Sequence, residues 1–396
     1  MNTVTRFIPF DSSDIVEMCL QDTALNKEQQ ARFLSLFALL KRQFGLEALD
    51  SLAQIKQAYR LRDPDSDLLL PQIERRNHSH ENFESRLVAL LNRANFDEVS
   101  QEAIQESLGD SSIFKVHLNV DFNQYEEVLL YKRGMSVRRE TLSTLFGLRK
   151  QTVEFINFDR VLIYIRMHAQ EGSQPKVLLR LFQNVPRADL EMLFPETQVG
   201  LRTIDKLMIG VPAVISGAVV LSTKMGATLF LLGSMLAFYL GMRQEPVVLD
   251  KTALLAIGAG FGALGGYVWK QFTNFKNRKL KFTQALTSNL YFKLLDNNAG
   301  VFYRITDNAM EEELKEALLA FYFLQQKPTA VSAKQLDTEI QTWFAQQWHC
   351  KLDFEVDDAL NKLARLKLAT QHANANWQAL DLSQAVDTLK NKLKDF

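Results

Sequence analysis

The residue types that come closest to a chemical signature are glycines. Gly260, Gly262 and Gly265 spell G-x-G-x-x-G after the apolar Ile257. A dinucleotide site needs that spacing between a strand and a helix, with an acid about 20 residues on for the ribose. The corresponding region here carries Lys276, Arg278, Lys279 and Lys281 and no acid. No second strand–helix–strand pattern follows. The glycines therefore read as those of a membrane helix.

Other constellations are weaker. Asp63, Asp65, Asp67 and Glu74 stand at positions 1, 3, 5 and 12 of a calcium-loop pattern. Position 6 needs glycine for its sharp turn and is Leu68. A solvated turn fits better. His78, His80 and Glu81 offer metal-ligand types, but residues at i and i+2 do not share a helix face. His349-Cys350 pairs a base with a thiol, yet adjacent side chains diverge on a helix and no third group is apparent. There is no G-x-S-x-G, no G-x-x-x-x-G-K-[ST] and no H-E-x-x-H. The chain thus carries no recognisable catalytic, cofactor or metal motif, and a non-enzymatic role is expected.

The elements around these residues follow from pattern. The chain has 396 residues, 47% hydrophobic, with 46 Lys+Arg against 46 Asp+Glu. This balance excludes a disordered charged tail and gives no overall footprint for nucleic acid. Two cysteines, Cys19 and Cys350, exclude a disulfide framework. Residues 1–25 hold one cation, Arg6, against four acids, so no secretory or mitochondrial signal is expected there.

Residues 1–110 read as helices. Asp11 with Asp14 caps a short one. Asn26 opens the next, with Phe33, Leu36, Phe37, Leu40 and Phe44 at helical spacing. A third is expected from Asp50 to Tyr59, and another over roughly 81–95. Over 111–206 the period changes to two: Phe114, Val116, Leu118 and Val120 alternate with polar residues. Further strands are expected at 125–132, 153–167 and 176–183, with Gly134 and Gly172 in connecting segments. The fold class is α+β: an antiparallel sheet packed on the N-terminal helices.

Residues 207–269 hold 10 of the 17 glycines and only five charged residues. Leu207–Thr223, Met225–Met242 and Thr252–Trp269 are uncharged runs of 17, 18 and 18 residues, with Lys224 between the first two. A bilayer span needs about 20 largely apolar residues. A transmembrane helical hairpin is expected, with one crossing within 207–242 and the second at 252–269. Three crossings are the alternative. Gly258, Gly262 and Gly266 recur every four residues, a stripe for packing against another helix. The partner would be the same span in a second chain, or the preceding span through Gly233, Ala237 and Gly241.

Beyond Trp269 come Lys270, Lys276, Arg278, Lys279 and Lys281, a basic helix leaving the membrane within the connector 270–306. Residues 307–396 read as a separate module. Asn308 with Glu311 and Ser332 with Gln335 resemble capping boxes. A third helix at about 355–367 and a hairpin of 368–372 with 377–380 complete a winged-helix-like pattern. Its candidate recognition helix starts with Glu355, Asp357 and Asp358, acids that repel phosphates. Protein contact is expected there, and nucleic acid is not.

Several stretches carry a family likeness. They are Phe7-Ile8-Pro9-Phe10, Ile55–Tyr59 running into Asp63-Pro64-Asp65, and Val120–Gly134. The longest is Leu181–Pro195, which contains Pro186, Asp189, Leu190, Glu191, Phe194 and Pro195. Together they resemble the transmembrane protein 143 family, whose shared region is a domain of unknown function with bacterial, plastid and mitochondrial members. The resemblance implies membrane helices after the Pro186–Glu191 segment and lends no catalytic residue. From the residues alone, Asp189 and Glu191 suit a helix start, with a contact surface at the bilayer as the functional alternative.

The expected protein is therefore an integral, multi-pass bacterial inner-membrane protein with both termini in the cytoplasm. It would hold a cytosol-facing interaction or regulatory platform. Membrane lipids are the expected partners, with a homo-oligomer or a second membrane protein beside them. A membrane-bound enzyme or an accessory subunit of a transport system is the alternative.

Overall fold

The computed structural model describes residues 4–22, 25–65, 83–100, 117–119, 122–144, 149–168, 175–195, 198–200, 214–215, 217–220, 222–223, 225–246 and 250–394. They form two compact units. The first comprises 1–109, 122–190 and 293–396; the second comprises 110–121 and 191–292.

The first unit opens with α1 (Ser12–Gln21) and α2 (Lys27–Tyr59). Asn26 caps α2 reciprocally with Gln29: each backbone N–H meets the other's side-chain oxygen, at 3.0 and 2.9 Å. The break expected between Phe44 and Asp50 is absent, and α2 runs unbroken for 33 residues. Its buried residues continue from Phe33 to Tyr59, so tertiary packing keeps the helix going where local pattern suggested two. After α3 (Phe83–Arg93) comes a five-stranded antiparallel sheet of order β1-β3-β4-β5-β7. Its strands are β1 (Asp97–Glu98), β3 (Tyr125–Thr144), β4 (Arg149–Met167), β5 (Val177–Pro186) and β7 (Leu294–Asn297). β2 (His117–Asn119) pairs with β6 (Gln198–Gly200) in the second unit.

β3 and β4 are longer than their patterns indicated. They pair from Tyr125↔Met167 to Thr144↔Arg149, whereas β5 covers β4 only from Asn157 to Arg166. Gly134 lies inside β3 rather than in a connection. Its φ is +76°, and a Cβ there would stand 2.5 Å from the Asp159 carboxylate and 3.1 Å from the Phe7 ring. Both the left-handed backbone and the close approach require glycine. Gly172 and residues 111–116 lie outside the described residues.

The spine of this unit is α6 (Ala299–Gln325). The boundary expected at 306/307 falls inside it, and Asn308 sits in its third turn rather than at a cap. Val301, Phe302, Ile305 and Ala309 join one core with Tyr59, Phe83, Leu90, Tyr131, Leu162, Tyr164 and Leu181. Leu314, Leu318, Phe321 and Tyr322 join a second core with Phe33, Leu36, Leu40 and Phe44. Around that second core sit α7 (Ala333–Gln347), α8 (Val356–Arg365), α9 (Leu382–Lys392) and a small sheet. The sheet has order β8-β10-β9, from Val331–Ser332, Asn376–Ala379 and Ala369–Gln371. Ser332 caps α7 by accepting the Gln335 N–H at 3.2 Å, as its spacing indicated. The C-terminal residues thus share a compact unit with the N-terminal helices.

Gly134→Ala should lower the stability of this unit by about 1–3 kcal/mol through backbone strain and displacement of Asp159. Denaturation of parent and variant side by side checks it; an unchanged midpoint would show that β3 adapts freely.

Candidate functional site

The buried charges of the first unit cluster on the middle turns of α6. The run Glu311-Glu312-Glu313-Leu314-Lys315-Glu316 looks in sequence like a solvated helix face. In the structure Glu312, Glu313, Lys315 and Glu316 are all buried. Glu312 accepts from the Ile8 N–H at 3.0 Å, Arg133 at 2.6 Å and Lys315 at 2.8 Å. Lys315 also donates to the carbonyls of Ile8 and Phe10 at 2.8 and 3.1 Å. Glu313 holds Arg93 in a two-pronged pair, both bonds 2.9 Å. Glu316 accepts from Asn95 at 2.8 Å and from Lys362 at 2.6 Å. Asn95, two residues beyond the end of α3, has a left-handed φ of 55°, and its amide also reaches Glu312 at 3.4 Å.

The N-terminal segment is stitched into this seam. Thr5 makes a parallel bridge with Leu352, Arg6 pairs with Glu355 and Asp97, and Phe7 lies 4.6 Å beneath the Arg133 guanidinium. Burial raises the Glu316 carboxyl, opposed by Lys362 and Asn95, to about 7. Burial lowers the Lys362 ammonium, but Glu316, Glu313 and Asp358 outweigh it and hold it above its ordinary value.

Outside this seam lies an open cleft of about 680 Å³. Gln43, Glu47, Asp50, Ser51 and Gln54 of α2 line one wall; Asp358, Asn361, Lys362 and Arg365 of α8 line the other, with Glu313 and Lys392. Arg365 spans it with a two-pronged pair to Glu47 at 2.8 and 2.9 Å. The cleft is polar and charged of both signs. It suits recognition of a polar molecule.

The second unit holds the glycine-rich residues. Its helices are α4 (Gly226–Tyr239) and α5 (Lys251–Lys293), the latter 43 residues and about 64 Å long. Thr228 donates to the Ala256 carbonyl at 2.9 Å, and Gly217 meets the Tyr267 ring. The numbers rise on one side as they fall on the other, so the two arms run antiparallel. Gly260 is the close-packed position, because a Cβ there would overlap the Thr228 hydroxyl. A Cβ at Gly258, Gly262, Gly266, Gly233 or Gly241 would meet nothing within 4 Å. The contact within the chain therefore uses Gly260 and not the expected stripes; Ala237 lies on α4 between Gly233 and Gly241. Gly260, Gly262 and Gly265 are all mid-helix, which removes the strand–turn–helix setting of a dinucleotide site.

Among the described residues one helix, Lys251–Asn274, is long and apolar enough to cross a membrane, with mean hydropathy 1.4 and 11% of it buried. α4 is apolar but only 14 residues long. Lys270 and Lys276 are exposed on α5, and Arg278, Lys279 and Lys281 continue along it. Lys224 and residues 201–213 lie outside the described residues.

Leu181–Pro195 folds as the end of β5, to Pro186, and a 3₁₀ helix over Arg187–Leu193. Asp189, Leu190, Glu191 and Phe194 are buried, with Pro195 half-buried. The helix that starts here is the tighter 3₁₀ form, and both of its carboxylates are buried. Asp63 accepts from the Asp65 N–H and Asp65 from Asn298, so these acids serve the turn. Asp67, Glu74, His78, His80 and Glu81 lie outside the described residues. No group of three metal-ligand side chains occurs among the described residues. Cys19 and Cys350 are buried, and desolvation raises both thiols.

A DUF3754 domain, a family of unknown function, spans residues 125–300. It takes in β3 to β7 and the apolar helices, and it ends before the charged turns of α6. No solved structure matches the chain.

Because native Glu316 holds its proton more tightly than an unfolded glutamate near 4.3, its contribution to stability falls as pH rises from about 4.5 to about 7. The Lys362 window lies above 10 and is flat here. Glu316→Gln should remove that slope, a parent-minus-variant change of about 3 kcal/mol between about pH 4.5 and pH 8. Urea midpoints across that range measure it. A constant difference would sink the assignment.

Proposed function

We propose that this chain is a membrane-anchored protein whose α4–α5 hairpin enters the bilayer and whose first unit is a water-facing interaction platform. The observation that carries the reading is the 11% burial of the apolar window on α5. A core helix of that hydropathy would be mostly covered. Here Leu255, Phe261 and Trp269 are 74%, 52% and 71% exposed, as are Phe230 and Leu236 of α4 at 73% and 61%. Lipid is the solvent that suits helices apolar all round.

Charge supports the same reading. No Asp or Glu occurs between Lys251 and Asp296, while Lys270, Lys276, Arg278, Lys279, Lys281 and Lys293 follow Trp269. Cations directly after an aromatic border suit headgroups on the cytoplasmic side. The Thr228–Ala256 bond satisfies a hydroxyl that hydrocarbon would otherwise leave unpaired. The antiparallel arms favour a hairpin with both soluble ends on one side, in a bacterial inner membrane. α4 alone would be about 21 Å long, short of a core of about 30 Å, so its crossing draws on helical residues from 214 onward.

The transmembrane protein 143 likeness adds support, as does the winged-helix order of α6, β8, α7, α8, β9 and β10 for a protein-contact module. Gly258, Gly262 and Gly266, uncovered by their own chain, are left for lipid or for a second copy.

The protein should remain in the membrane pellet after alkaline carbonate washing; release would refute insertion. Reporter fusions at residues 200 and 300 should both report the cytoplasm, and a fusion at 247 the far side. Opposite sides for 200 and 300 would leave a single or triple crossing. Gly260→Leu should disrupt hairpin cross-linking while Gly262→Leu preserves it; equal behaviour would deny Gly260 its packing role.

A further inference from the structure

The cleft between α2 and α8 contains eight charged lining residues. Six are matched: Glu47 with Arg365, Glu313 with Arg93, and Asp358 with Lys362. Asp50 and Lys392 remain. Among the described residues neither has an ion pair or hydrogen bond. Asp50 is exposed and Lys392 half-buried.

The two leftover charges stand toward different parts of the cleft. Lys392 acts with Arg365 on the single carboxylate of Glu47, which their attraction and the Gln43 amide hold below its ordinary value despite burial. That end has two cations for one anion. Asp50 lies almost one helical turn further along α2, next to Ser51, whose hydroxyl accepts from Arg93, and Arg93 is already held by Glu313. That end has more carboxylates than cations.

A second observation points into the same space. Gln43 lines the cleft and is 2% exposed, yet its Oε1 is buried without a donor. Its Nε2 is committed to Glu47 at 2.7 Å, so turning the amide over would set Oε1 against a carboxylate. A buried acceptor of this kind is costly unless a donor reaches it.

We propose that this cleft binds a small zwitterion, an amino acid or a short peptide. Its carboxylate meets Lys392 beside Arg365, its ammonium meets Asp50, and an N–H of the ligand serves Gln43. A molecule of one charge satisfies one end and leaves the other unmatched. All these residues lie outside 125–300, so the domain match does not address them, and the inference stands whether or not α5 enters a bilayer.

Titration calorimetry on the full chain in detergent tests it, with glycylglycine and 5-aminovalerate as probes and cadaverine and glutarate as single-charge controls. At least one zwitterion should bind at concentrations up to about 10 mM, and about tenfold more tightly than either control. Glycylglycine ahead of 5-aminovalerate identifies a peptide through its amide N–H; the reverse order identifies a free amino acid. Asp50→Asn and Lys392→Met should each weaken the better probe about tenfold, with denaturation midpoints unchanged. Absence of zwitterion binding, equal binding of a control, or full binding by both variants would overturn the proposal.

Discussion

The first unit depends on the burial of four charged residues in the middle turns of α6. The helix has an apolar face before them, Val301, Phe302, Ile305 and Ala309, and an apolar run after them, Ala317–Leu324, so both flanks are covered and the charges between are carried inside. Each buried charge must then find a partner, because an unpaired one would cost several kcal/mol. Glu312 takes Arg133 from the sheet, Glu313 takes Arg93 from the end of α3, and Glu316 takes Lys362 from α8. Lys315 takes two carbonyls of the N-terminal segment. Buried pairs of this kind add little net stability. They do penalise wrong arrangements, since removing any one partner strands the other. Here they fix four distant stretches of chain to one helix.

That arrangement explains why a charged cleft sits where it does. Arg93, Glu313 and Lys362 have one side in the seam and the other in the cleft. Their positions are set by the packing behind them, so the groups facing solvent are held before any ligand arrives. Such preorganisation lowers the cost of binding a polar molecule. The near-neutral carboxyl of Glu316 lies one ion pair behind Asp358, on the path from cleft to core.

The second unit obeys a different constraint. α4 and the first half of α5 offer apolar side chains on all faces, and among the described residues their contact includes the Thr228 hydroxyl, the Ala256 carbonyl and Gly260. In water such a pair would lack a reason to stay exposed. In hydrocarbon it has both a solvent and a specific contact. The proposed insertion would set the basic residues along α5 at the interface.

Sequence alone determined what short-range pattern can carry. The cap at Asn26, the cap at Ser332, the antiparallel strands, the C-terminal hairpin and the apolar α5 all follow from residue type and period. So does the absence of any motif for a nucleotide or a hydrolytic triad. What tertiary structure decided was everything set by partners far along the chain. Glu312 and Glu316 look solvated until Arg133 and Lys362, 179 and 46 residues away, are brought to them. The only sequence hint was the apolar run Ala317–Leu324, which says that the same helix is buried just beyond. The close contact within the chain falls on Gly260 rather than on the evenly spaced Gly258, Gly262 and Gly266, because it is chosen by Thr228 on another helix. Gly134 shows the same limit: its place inside a strand follows from Phe7 and Asp159, which periodicity does not contain. Local patterns fix which elements form; which charges are buried, and which glycine is needed, depends on what the fold lays against them.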